Sequence, residues 1–356
     1  MPDTRVAEHA RLVVNYSLEV KKGDFVIVSA SELALPLLQA MAAEVAKAGA
    51  YMQVWYRHES INRAYMMNAT EETLSFLPPS LEKGYRNADC IVHIICSANE
   101  AELSDVPSHK LRDHQKATEP LSKVFFSKRW NITLHPTYGL AQEARRSLEA
   151  YSDFVYSATL RDWPLLGEEM AFLARRLKAA KRVRIVGSET DISFSVEGRT
   201  PEVDDGKKNL PGGEVFTSPV EETVNGHVYF DLPFNLSGRE LHGVRLKYVN
   251  GEIEESSAES GEELLKELIR TDEGARRMGE LGIGMNRGIT ECSKNVLFDE
   301  KMGDTIHMAV GRSFEECGGK NKSGIHIDMV KNMKDEGTIY FDEDVVYRNG
   351  KFAWEV

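Results

Sequence analysis

Four short segments in the second half of the chain hold residue types that bind metal ions. Residues 209–216 read Asn-Leu-Pro-Gly-Gly-Glu-Val-Phe and offer Glu214 just after a tight Pro-Gly-Gly turn. Residues 278–286 set Glu280 among glycines and apolar side chains, where burying its carboxylate demands a partner. Residues 298–311 place His307 inside a strand-like apolar run, and residues 318–329 close on the pair His326-Ile-Asp328. In an extended strand alternate residues share a face, so that pair presents an imidazole and a carboxylate side by side. Taken singly, each segment has a plain structural reading: a solvated turn glutamate, a surface glutamate before a strand, a core histidine, a chance surface pair. Together they supply three carboxylates and two imidazoles with no thiolate. That set suits one or two ions of Zn(II), Co(II), Mn(II) or Fe(II), and a carboxylate can bridge two of them.

The elements that must position these residues fall into two blocks. Residues 1–181 alternate strand and helix patterns. Strands are predicted at 24–29, 51–55, 88–96 and 131–134, and an amphipathic helix at 35–48, with Pro36 in its first turn and Gly49 at its end. Strand runs apolar enough to be covered on both faces, separated by helices, predict a parallel α/β domain. After a helical stretch at 170–180 the composition changes to Gly, Asp, Asn and short β-type runs at 183–186, 192–196, 227–230 and 244–249. Residues 182–356 therefore read as an α+β metal-binding domain with a mixed or antiparallel sheet. Neither block carries a Gly-x-Gly-x-x-Gly or phosphate-loop lysine motif, so the architecture brings no nucleotide with it.

Composition excludes several partners. The 356 residues carry 44 basic and 56 acidic side chains, a formal net charge of -12, and the basic pair Lys207-Lys208 is offset by neighbouring acids. A nucleic-acid binder needs a concentrated basic face, which this chain lacks. No apolar run approaches the ~20 residues needed to span a bilayer, and the first residues do not pattern as a secretory signal. The four cysteines, Cys90, Cys96, Cys292 and Cys317, form no Cys-x-x-Cys pair. Free buried thiols suit a reducing compartment, so a cytoplasmic protein is expected. His93, in the apolar run 90–95, reads as a core histidine, and the aromatic C-terminal stretch reads as a hairpin turning at Asn349-Gly350.

The four metal-binding segments also carry a resemblance. Asn209-Leu-Pro-Gly-Gly-Glu214-Val-Phe, Glu280-Leu-Gly-Ile-Gly-x-Asn, Asp299-Glu-Lys-x-Gly-x-Thr-x-His307 with Gly311-Arg-Ser, and Gly319-Lys-Asn-x-Ser-x-x-His326-x-Asp328 resemble, in order and spacing, the aminopeptidase T and aminopeptidase S family of thermophilic metallopeptidases. The likeness extends into the first half through Tyr16-Ser-Leu-x-Val-Lys-Lys-Gly23 and so covers most of the chain. It implies a homodimer or higher homo-oligomer. It also implies a two-metal centre held by Glu214, Glu280, His307, His326 and Asp328, with Glu214 and Glu280 as catalytic carboxylates and Glu280 and Asp328 as the shared ligands. The implied reaction is cleavage of the N-terminal residue from a small or short-peptide substrate by metal-activated water. The sequence departs from the family at two points: its active-site tyrosine falls on Phe314, which has no phenol to donate a hydrogen bond, and the chain is shorter than the peptidases between His307 and His326. Phe314, Arg312 and Lys320 flank the ligand segments and are the candidates for contact with substrate, the two cations suiting a carboxylate. The 2,5-dihydroxypyridine dioxygenases resemble the same family. They supply an alternative in which His307, His326 and Asp328 hold one Fe(II) for ring opening, against which Glu214 and Glu280 favour hydrolysis. A third reading keeps the metal only as a structural clamp in a binding protein.

Overall fold

The computed structural model describes residues 3–236 and 239–355, and its contacts divide the chain into two compact units. The first runs to Leu160 and includes Gly206–Pro211; the second comprises Arg161–Asp205 and the chain from Gly212 onward.

The first unit is built on a parallel sheet. Its strands are Phe25–Ala30, Tyr51–Tyr56, Cys90–Ile95 and Arg129–Leu134, with Phe25–Ala30 paired between Tyr51–Tyr56 and Cys90–Ile95, and Arg129–Leu134 beyond the latter. The two-residue strand Asn209–Leu210 adds to that far edge. Val26, Ile27, Val28, Ile91 and Val92 are fully buried, as expected of central strands covered on both faces. The connecting helix Leu35–Lys47 carries proline in its first turn, turns Leu37, Leu38, Met41 and Val45 inward, and ends before Gly49 at φ 72°. His93 stacks on Phe125 with centroids 4.5 Å apart, and its Nε2 lies 2.8 Å from the Tyr85 hydroxyl. It is half-buried and packs against the core through Phe125. The Tyr51–Tyr56 strand differs from its reading: it is an edge strand, and Tyr51 and Tyr56 are 69% and 59% exposed.

The second unit contains two large sheets, and both are antiparallel at every recorded pairing. Of the two arrangements the sequence allowed, antiparallel is the one adopted. The larger sheet has eight strands, among them Arg182–Gly187, Thr190–Ser195, Asn225–Phe230 and Val244–Val249, the four predicted runs. It closes on the hairpin Asp344–Arg348 to Lys351–Phe352, where Asn349 and Gly350 both take the positive φ (47° and 83°) that a two-residue hairpin turn with the strands' own twist requires. The smaller sheet has five strands in the order His326–Asn332, Thr305–Gly311, Met278–Gly284, Glu214–Thr217, Glu202–Asp204.

Helix Trp163–Ala179 packs against the last two of these strands. Asp162 caps it by accepting from the Leu165 N–H, and Trp163, Leu166, Met170, Leu173 and Leu177 form its buried stripe. Each of those side chains contributes roughly 1.5–3 kcal/mol by leaving water. The second compact unit therefore begins at Arg161 and not at the composition change near residue 182, which marks where helix gives way to strand inside the unit. Among the described residues no helix is long and apolar enough to cross a membrane.

Candidate metal centre

The strand registers place all five candidate ligands on one face of the five-stranded sheet. Gly282 pairs with His307, Gly284 with Glu214, Glu280 with Ala309, Ala309 with Asp328, and Gly311 with His326. Because directly paired residues share a face and alternate residues along a strand return to it, Glu280, His307, His326, Asp328 and Glu214 all project to the same side. A bulge between Met278 and Glu280 sets the register of the central strand.

Glycine makes the convergence possible. A Cβ built on Gly282 would lie 1.9 Å from Cε1 of His307, so the imidazole occupies the space a side chain would take. On the neighbouring approach Gly213, at φ 118°, lies against Asn286, whose Cβ would be 2.5 Å from any Cβ added there. Asn286 also donates from its side-chain amide to the Gly212 carbonyl at 3.0 Å, which fixes the turn that delivers Glu214 as the first residue of its strand.

The result is two overlapping groups of ligand atoms, Glu214 with Glu280 and His307, and Glu280 with His326 and Asp328, each lying within 4.8 Å of one another. His307 Nε2 is 3.3 Å from a Glu214 oxygen and 3.6 Å from a Glu280 oxygen; His326 Nε2 is 3.0 Å from the other Glu280 oxygen and 3.5 Å from Asp328. Of the two carboxylates put forward as shared, Glu280 belongs to both groups and Asp328 to one. The two histidines belong to different groups, so the triad His307, His326 and Asp328 is not among those found in the described residues.

The donor set fits a divalent ion on three counts. Both imidazoles are tied through Nδ1, His307 to the Glu300 carbonyl at 2.8 Å and His326 to the Arg312 carbonyl at 2.7 Å. A carbonyl only accepts, so each Nδ1 donates its hydrogen, and the neutral ring then aims a lone pair from Nε2 at the carboxylates. Lone pairs facing carboxylate oxygens repel unless a positive charge sits between them. Second, one oxygen of buried Glu214 (Oε2) and one of buried Asp328 (Oδ1) have no hydrogen-bond partner in the described residues. Third, ligand atoms about 3.4 Å apart are what bonds of about 2.1 Å at tetrahedral angles produce, and the separations here are of that size.

Without an ion, protons take its role. Burial opposes charge on His307, but its hydrogen bond to Glu280 and the charges of Glu214, Glu280 and Asp328 outweigh that and push it up to about 10. His326 rises to about 11 against the same opposition, through Asp328 and Glu280. Burial also opposes the Asp328 charge, yet His326, His307 and Lys301 hold it at about 2. Glu214 is pushed up to about 8 by burial, against the pull of Lys301.

This arrangement has a counterpart among known proteins. The profile of the family "Thermophilic metalloprotease (M29)" matches residues 3–352. The chain belongs to that family. It is therefore a metal-dependent hydrolase enzyme, with a divalent metal implied. Aminopeptidase T of Thermus thermophilus is 28% identical over 398 aligned positions, covering 96% of this chain and 94% of that one. The solved structure of wild-type AmpT from Thermus thermophilus superposes with a TM-score of 0.84 at 24% identity, over 98% of this chain and 99% of that one. The 2,5-dihydroxypyridine dioxygenase of Pseudomonas putida KT2440 superposes with a TM-score of 0.59 at 14% identity, over 98% and 96%, a likeness of fold alone.

The three candidates for substrate contact are dispersed in role. Phe314 lies over His326, centroids 4.9 Å apart, and against Phe216 at 5.2 Å, so it forms an apolar wall on one ligand of this M29 chain. Arg312 is exposed, and its contact with the centre is the backbone carbonyl that orients His326. Lys320 lines a cavity of about 540 Å³ with Arg199, Glu221 and Arg277, none of the five candidate ligands among its walls. Sequence reasoning missed Lys301, which is 0% exposed and approaches Glu214 at 3.2 Å and Asp204 at 3.7 Å, and which also pairs with Glu300. Its signal was available: the Asp299-Glu-Lys run is enclosed by Leu297, Phe298 and Met302, so its charges lie between apolar anchors.

Proposed function

We propose that this enzyme is an aminopeptidase that releases the N-terminal residue of short peptides, with Glu214, Glu280, His307, His326 and Asp328 holding two divalent ions. The observation that carries this reading is the position of Glu280, whose two oxygens face different imidazoles and so belong to both ligand groups. One carboxylate between two groups suits a bridged pair of ions better than a single one. Zn(II), Co(II) and Mn(II) accept this mixture of carboxylate and imidazole. Bound divalent ions supply Lewis acidity toward a peptide carbonyl and acidify water near neutral pH.

The chain's own residues do the rest. The Glu300 and Arg312 carbonyls hold the two imidazoles in the tautomer that leaves Nε2 free. Carboxylates at the centre give a peptide's free ammonium group a place to dock. Phe314 shields His326 and offers no proton, so no phenol assists at that position. The free thiols, three of them buried, fit a cytoplasmic enzyme.

A direct assay compares an aminoacyl chromogenic amide with its N-acetylated twin, before and after chelation. The expected result is hydrolysis of the free amine, about 10²-fold or more slower turnover of the blocked compound, and loss of both on removing metal. Equal cleavage of the two compounds would overturn the aminopeptidase reading, as would oxygen uptake with a dihydroxypyridine in place of amide hydrolysis.

A further inference from the structure

Among the described residues, the Lys301 ammonium is the one fully buried cation paired with a candidate ligand that is not itself a candidate ligand. Its side chain has no exposed surface, and its Nζ lies 3.2 Å from Oε1 of Glu214. Asp204, directly paired with Glu214 across the strands, is 3.7 Å from the same nitrogen, and Glu300 pairs with it as well. The second oxygen of Glu214 behaves differently. Oε2 has no hydrogen-bond partner among the described residues and lies 3.3 Å from His307 Nε2, inside the ligand group. The carboxylate is thus divided: one oxygen is held by the lysine, and the other is left open toward the imidazole and Glu280.

We infer that Lys301 is a positioning residue that makes Glu214 a one-oxygen ligand, holding Oε1 out of the coordination sphere and aiming Oε2 into it. This rests on the proposed role of Glu214 in holding metal. A carboxylate free to swing can offer both oxygens to one ion, and an ammonium fixed on one of them removes that choice. The charge of the lysine, 3.2 Å from Oε1, does this without a proton changing place. Glu300 links the device to the other side of the group, because its side chain pairs with Lys301 while its backbone carbonyl orients His307. One dipeptide, Glu300-Lys301, therefore sets both the imidazole and the carboxylate of the same ligand group.

Charge compensation alone is the rival explanation, since three buried or mostly buried acids surround the lysine. Two variants separate the alternatives. Lys301→Met removes the cation and is expected to lower the melting temperature. Lys301→Met/Glu300→Gln removes one acid with it, restoring the local charge balance and the fold. Zinc affinity is measured on chelator-treated and reloaded protein by competition with a chromophoric chelator, and the visible spectrum of the Co(II)-loaded protein reports coordination number. If Lys301 positions Glu214, the double variant melts near the wild type yet binds one zinc ion about 10–100-fold more weakly, the range expected when a residue supporting a metal ligand is removed. Its Co(II) bands also weaken, as a fifth donor atom requires. Wild-type zinc affinity and an unchanged Co(II) spectrum in the double variant would overturn the inference and leave charge compensation. Absence of zinc binding by the wild type would instead remove the metal reading on which the inference rests.

Discussion

Glu280→Gln is expected to lower kcat/KM for an aminoacyl amide by about 10³-fold and to leave the purified protein short of both metal ions. Glu280 is 4% exposed, so the change tests a buried group with little solvent to replace it. Glutamine keeps the shape but loses the charge, and its amide nitrogen has no lone pair to offer an ion. One of the two oxygens of Glu280 faces His307 and the other faces His326, so a single replacement removes the contact in one ligand group outright and leaves the other with a neutral amide oxygen in place of a charged one. A metal acting as Lewis acid supplies several kcal/mol of transition-state stabilisation, and each ~1.4 kcal/mol is tenfold in rate, which gives the three decades. Glu214→Gln provides the contrast. Glu214 belongs to one group only, so that variant keeps one ion where Glu280→Gln keeps neither. Retention of two ions by Glu280→Gln, or activity within tenfold of wild type, would remove Glu280 from the centre of the account.

Gly282→Ala, a change of one methyl group, is expected to cost about 10²-fold in kcat/KM with a loss of stability of about 1–3 kcal/mol. The residue is in the middle of the central strand, paired on one side with His307 and on the other with Phe216, so its backbone cannot retreat. A Cβ there would be 1.9 Å from Cε1 and 2.1 Å from Nε2 of His307. Real Cβ atoms do not approach so closely, and the imidazole must move. When it does, Nε2 leaves the point it shares with Glu214 and Glu280, while His326 and Asp328 keep their places. Metal binding should therefore fall in one ligand group and persist in the other. Denaturant unfolding and metal content measured on the same preparation check both parts, and wild-type zinc affinity in the alanine variant would show that the close approach does not matter.

Much of this site is legible in the amino-acid sequence. Glu214, Glu280, His307, His326 and Asp328 stand out because each combines a ligating side chain with a glycine turn or an apolar strand, and the period-two rule already puts His326 and Asp328 together. The register is not legible there. Whether His307 meets Gly282 or its neighbour depends on a bulge at Met278 and Glu280 and on cross-strand pairing, both tertiary properties. Lys301 is harder to read because Asp-Glu-Lys has the composition of a solvated turn; the apolar neighbours Leu297, Phe298 and Met302 are its signal, and the packing shows a lysine without exposed surface. The carbonyls of Glu300 and Arg312 are invisible for a simpler reason: every residue has a carbonyl, and side-chain identity says nothing about which one meets an imidazole.

The fold follows a similar division. Parallel strands at Phe25–Ala30 and Cys90–Ile95 announce themselves by continuous apolar runs, and helix Leu35–Lys47 by its proline start and glycine stop. Tyr51–Tyr56 has an equally apolar composition yet lies at the sheet edge with its tyrosines exposed, because apolar content does not distinguish a central strand from a terminal one. The change of composition near residue 182 is real but marks a change of element, with helix Trp163–Ala179 packing onto the strands that follow it.

Stoichiometric metal binding is the property on which hydrolysis, the ligand groups and the role of Lys301 all depend. The decisive measurement is a calorimetric titration of chelator-stripped, full-length protein with Zn(II) or Co(II), with aminoacyl amide hydrolysis followed on the same samples. Uptake of two ions per chain, with activity rising from background as they bind, is the predicted result. Stripped protein that hydrolyses the amide as fast as the loaded form, or that takes up no ion at micromolar concentration, would contradict it.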